Sequence, residues 1–141
     1  MATLVGGGNV LYPLSREAFL GGDLDWDQDH RVILHDNADD TPDDGDDFLN
    51  DVVAGARVAV SGAIGSPTKA LGVADAADMA PAFSAATGDT SECIIIYRHT
   101  GTESTSNLVA FIETATGLPV TPNGGDINIT WDDGANKIFV L

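Results

Sequence analysis

Ile94, Ile95, Ile96 and Tyr97 stand in unbroken succession between Glu92-Cys93 and Arg98. Successive side chains of a strand point to opposite faces, so four apolar residues in a row need cover on both. Such a strand belongs in the middle of a sheet, and a chain of 141 residues holds about one core of that kind. The remaining strand signals are shorter. Residues 31–35, 57–61, 79–84, 107–113, 126–131 and 137–141 each read as strands; Pro81 weakens the third of these, and the alternation before 31–35 runs back towards Leu24. Ile127, Ile129 and Trp131 alternate with Asn128 and Thr130, as in a half-buried strand. The loop Asp132-Asp133-Gly134-Ala135-Asn136 offers residues suited to positive φ, which predicts a terminal hairpin between the last two strands.

About seven short strands, sixteen glycines and six prolines indicate a mainly β fold: a single compact antiparallel β-sandwich or barrel. One short N-terminal helix is expected after Pro13, through Leu14 to Leu20, ending at Gly21-Gly22. Residues 1–10, with Gly6-Gly7-Gly8-Asn9, read as a flexible glycine-rich arm, and residues 11–141 as the β-rich domain. No internal repeat is evident.

Residues 23–51 carry twelve aspartates against one base, Arg31, more than half of the 22 acids in a chain of net charge -16. A charge of that sign repels phosphate backbones and anionic lipid surfaces, so direct nucleic-acid and membrane binding are not expected; a basic or metal-rich partner surface is compatible with it. The 43% apolar content argues against global disorder, although the acidic segment by itself can be loose. Residues 36–47, with Thr41-Pro42 and Asp44-Gly45, read as loop, followed by an apolar anchor at Phe48, Leu49, Val52 and Val53. The first ten residues lack a secretory leader, and no run approaches a membrane span, so the chain is expected to remain in a cytoplasm unless exported within something larger.

The acidic tract meets metal-loop spacing only in part. With Asp40 at position 1, Asp44, Gly45 and Asp51 fall at positions 5, 6 and 12 of an EF-hand loop, but Pro42 at position 3 has no side-chain ligand and no flanking helix pair is expected. The series Asp23, Asp25, Asp27, Asp29 would form a row along a strand. A solvated acidic face is therefore expected, with an adventitious or interfacial cation site as the alternative. General acid and base chemistry requires one carboxyl in an apolar pocket, which so hydrophilic a segment does not offer. His30 and His35, an odd number apart, are expected on opposite faces of one strand, and the same is expected of Cys93 and His99. Cys93, the only cysteine, reads as a buried thiol. There is no G-x-S-x-G elbow, and Gly6-Gly7-Gly8 lacks a phosphate-loop lysine. Trp26 and Trp131 read as core or interface anchors. No catalytic, cofactor-binding or metal-ligating residue is assigned, and no cofactor is expected.

Leu11-Tyr12 through Arg16-Glu17-Ala18-Phe19-Leu20, then Ala54-Gly55-Ala56-Arg57-Val58-Ala59, and finally residues 117–126 (GLPVTPNGGD) with Ile129-Thr130-Trp131-Asp132 resemble a family of small virion structural proteins of tailed bacteriophages. Within that class the chain is most similar to a head-decoration (cement) protein. The resemblance implies a non-enzymatic protein made in a bacterial host cytoplasm and mounted on the capsid exterior. There it binds the major capsid protein lattice as a homo-oligomer, a trimer at local threefold positions being common. The alternatives are a tail, neck or fibre component of the virion, and a Ca²⁺-binding acidic β module.

Overall fold

The computed structural model describes residues 8–141. Its elements in chain order are β1 (Val10–Leu11), α1 (Pro13–Gly21), β2 (His30–His35), β3 (Arg57–Val60), β4 (Thr68–Ala70), β5 (Val73–Asp75), β6 (Met79–Phe83), β7 (Cys93–Arg98), β8 (Leu108–Ile112), β9 (Ile127–Ile129) and β10 (Phe139–Val140). All strand pairs are antiparallel. A five-stranded sheet runs β1-β8-β7-β2-β3, a second sheet runs β10-β5-β4, and β6 pairs with β9. Of the two architectures expected, the sandwich-like one is found; among the described residues no sheet closes into a barrel.

The apolar run does what its pattern demands. β7 lies at the centre of the large sheet, and Cys93 through Tyr97 are all buried. Ile94 and Ile96 enter the larger core with Val32, Leu34, Phe83 and Trp131, between the large sheet and the smaller ones. Ile95 and Tyr97 enter a second core on the other face, which Tyr12, Leu49 and Val52 cover. An extra residue in β8 adjusts the register: Ile96 opposes Ala110 and Tyr97 opposes Leu108, leaving Val109 as a bulge. Val109 and Ala110 consequently both face the larger core.

α1 begins at Pro13, where a missing N–H costs nothing, and ends on Gly22 in the left-handed conformation (φ 84°). Ser15 fixes it to the sheet by donating its hydroxyl to the Leu108 carbonyl. Of the arm expected at residues 1–10, positions 1–7 lie outside the described residues; Val10, its last member, is instead the edge strand β1, opposite Phe111.

Two strand expectations are corrected. The terminal hairpin does not form: β9 pairs with β6 (Met79 opposite Ile129, Phe83 opposite Ile127), and β10 pairs with β5. Trp131 explains the divergence, because its backbone N–H donates to Asp78 Oδ1 and its indole N–H to the Ala77 carbonyl, anchoring the chain there before the loop begins. The backward alternation from Arg31 towards Leu24 is strand only to His30. Before it, Asp25 makes a turn, accepting the Asp27 N–H on its side chain and the Gln28 N–H on its carbonyl, and this turns Leu24 and Trp26 into the core. No helix among the described residues is long and apolar enough to cross a membrane.

Candidate functional site

The acidic segment after β2 is an ordered loop pinned by its own carboxylates, not a loose tract. Asp43 Oδ1 accepts the Gly45 N–H, and Asp51 Oδ2 accepts the N–H groups of Asp47 and Phe48. Backbone bonds from Leu49 to the Ser106 carbonyl and from Leu108 to the Asp47 carbonyl dock it on β8. Asp43, Asp44, Asp46 and Asp47 are half-buried in consequence. Of the positions that matched an EF-hand loop, Asp40 Oδ2 accepts the Val53 N–H at 3.1 Å and Asp51 caps the turn, while Asp44 Oδ1 is buried without a hydrogen-bond partner; Pro42, at position 3, is buried. The carboxylates that do converge are Asp36, Asp39 and Asp89, with one oxygen of each within 4.8 Å of the others. Asp36 is buried and accepts the Ala38 N–H; Asp39 and Asp89 are exposed. Asp89 lies some fifty residues away in sequence, so no spacing rule could have grouped it with the tract.

Below the loop is a polar cluster that the sequence did not reveal. His35 and Cys93 are direct cross-strand partners of β2 and β7. The thiol donates to Asn37 Oδ1 at 3.1 Å and lies 3.6 Å from His35 Nδ1; that nitrogen is 2.9 Å from Asn37 Oδ1, and Nε2 is 3.4 Å from Asp40 Oδ2. By composition this is a Cys-His-Asp set. Its environment is closed: His35 and Cys93 have no exposed surface, and burial pushes the thiol well above its ordinary value. Neither residue lines any of four surface grooves among the described residues. The cluster joins the start of the acidic loop to the sheet, helped by Glu92, whose carboxylate accepts the Asn37 N–H.

The histidines separate as their odd spacing requires: His35 meets Asn37 and Asp40, while His30 packs against Trp26 on the other face, ring centroids 4.7 Å apart. His30 Nδ1 bonds the Gln28 carbonyl, Nε2 is buried without a partner, and burial holds the imidazole below its usual pKa. For Cys93 and His99 the expected reason for separation was mistaken. Six residues is an even spacing; what parts them is the length of β7, roughly 20 Å at 3.3 Å per residue.

Asp46 carries the clearest electrostatic strain. Burial, with the nearby charges of Asp51, Asp40 and Asp43, raises its carboxyl to about 6. A carboxyl whose folded pKa lies above its unfolded value makes the folded state relatively more stable on protonation, and that contribution is lost as pH rises through about 6. Asp46→Asn is therefore expected to stabilise the protein at pH 7 by roughly 1 kcal/mol, a figure reduced from the full linkage value because the group is only half-buried. The gain should shrink to nothing below about pH 4. Thermal melts of both proteins across that range test it; a gain that persists at low pH would show that charge is not the cause.

Two open grooves flank β10. One, of about 720 Å³, is lined by Val10, Leu11, Ile112 and Ile138 with Arg16 at its margin; the other, of about 430 Å³, by Phe19, Leu24 and Trp26 with Asp25 and Lys69. Phe139 and Leu141 line both. The accessible surface thus offers an ordered anionic loop and a pair of apolar grooves, features suited to adhesion, while its most reaction-like cluster is sealed. No protein-family model matches the chain, and comparison with curated proteins gives no match.

Proposed function

We propose that this chain is a virion structural protein, a head-decoration (cement) protein that binds the outer surface of the major capsid protein lattice and stabilises the head. The sequence resemblance supplies the class. The observation that carries the reading is the division just described, with a buried Cys-His-Asp cluster and adhesive features on the surface. An ordered acidic loop keeps its charges in fixed positions, as recognition of a basic capsid groove requires. A protein that binds the expanded shell more tightly than its precursor stabilises it by mass action. The same negative charge keeps the protein away from packaged DNA and from membranes.

Quantitative mass spectrometry of purified virions tests the proposal. A cement protein is expected in hundreds of copies per particle, and particles lacking it should lose DNA at a lower temperature. A few copies per particle would indicate a tail, neck or fibre component instead, and absence from virions would overturn both readings. The Asp36, Asp39 and Asp89 trio favours a second reading, a Ca²⁺-binding acidic module. That reading requires a melting temperature that rises with millimolar Ca²⁺ and falls back with chelator.

A further inference from the structure

The tip of the β4–β5 hairpin combines two unfavourable features. Leu71 lies in the left-handed region at φ 52°, followed by Gly72 at φ 81°, and its exposure is 102%. A turn of this shape is ordinarily built from Asn, Asp or Gly, which tolerate positive φ and welcome water. A strained and fully exposed leucine gains nothing from its own fold, which suggests that it serves a contact outside it. Leu71 stands at the edge of the smaller groove, on one side of β10; the larger groove, on the other side, has an apolar lining and the exposed Arg16 at its margin.

We propose that a second copy of this chain docks on this face about a twofold axis running along β10. Such an axis exchanges the two sides of the strand. Leu71 of each copy then enters the larger groove of the other, and Arg16 of each faces the Asp25 side of the other, so shape and charge match in one operation. Among the described residues β10 is also an edge strand, bonded only to β5. Charge explains why copies of so acidic a chain meet here: Lys69, paired with Asp25 and Asp27, lines one groove and Arg16 the other, so the two grooves hold two of the six bases. The inference does not depend on where the protein is mounted.

Sedimentation equilibrium of the full chain, from low micromolar to submillimolar concentration, tests it. The native protein is expected to form dimers. Leu71→Asp should weaken association at least ~30-fold, as loss of a central anchor does, without lowering the melting temperature at concentrations where both proteins are monomeric, because the side chain makes no core contact. Arg16→Glu and Asp25→Arg should each weaken the dimer, and combining them in one chain should restore it, a rescue that only an exchanged contact gives. A native protein that stays monomeric or forms trimers would overturn the proposal, as would a Leu71→Asp variant that dimerises normally. Monomers whose attachment to virions depends on Leu71 would assign the tip to the capsid instead.

Discussion

Ile96→Ala is expected to cost about 3–4 kcal/mol and lower the melting temperature by about 10 °C, and Ile95→Ala a similar amount. Both residues are within 1% of complete burial on the central strand, so truncation leaves a void that the flanking strands β2 and β8 cannot close without moving. They are neighbours in sequence yet belong to different cores: Ile96 packs in the cluster containing Val32, Phe83 and Trp131, Ile95 in the one containing Tyr12, Val52 and Phe111. Side chains without shared partners contribute nearly independently. The double variant should therefore lose roughly 7 kcal/mol, comparable with the whole stability of an ordinary domain, and fail to fold at 37 °C. Urea unfolding of the two singles and the double provides the measurement. A double variant little worse than either single would mean that the two faces of the sheet respond as one body.

The elements legible from sequence are those whose signal is carried by a few neighbouring residues. Pro13 and Gly22 bound α1 because helix ends are set locally, and the runs in β2, β7 and β8 follow from burial of every second or every residue. Thr68–Ala70 was missed because all three residues are exposed and carry no apolar period. The terminal hairpin failed for the converse reason. Gly134 and Asn136 supply good turn chemistry, but Met79 and Phe83 give β9 a partner, and Trp131 holds that pairing in place. Local turn propensity decides a pairing only when nothing distant competes. The His35 and Cys93 contact depends on the register of β2 against β7, and the Asp36, Asp39 and Asp89 group on two loops meeting, neither of which a single chain reveals. The acidic tract was read correctly as loop but not as ordered. Its order comes from Asp side chains capping backbone N–H groups, chemistry to which a count of charges is blind.

What secures the far end of that loop is Arg57, and Arg57→Met is expected to cost about 3 kcal/mol. Its Nη2 donates to the carbonyls of Leu49 (2.7 Å) and Val52 (2.6 Å), its Nε to Val52 again, and the fork grips both oxygens of Glu103, with Nη1 to Oε1 at 2.7 Å. Methionine keeps most of the aliphatic stem but leaves the Val52 carbonyl without a donor and the Leu49 carbonyl with the Val52 N–H alone. Arg57→Lys should recover less than half of the loss, since one ammonium cannot reach carbonyls and carboxylate together. Glu103→Gln should matter far less, because that carboxylate is more than half exposed and water competes for the pair. The guanidinium hydrogen bond holds Glu103 below its usual pKa, so what the pair adds is present at neutral pH and lost as pH falls through that lowered value. Hydrogen exchange separates a local clamp from a general loss of stability. In Arg57→Met the Leu49 and Leu108 amides, which bond across the loop to Ser106 and Asp47, should exchange faster than the fall in global stability explains, while Val32 and Ile96 follow global unfolding. Uniform acceleration at all four sites would mean that Arg57 supports the whole fold, and that the acidic loop owes its position to its own carboxylate caps alone.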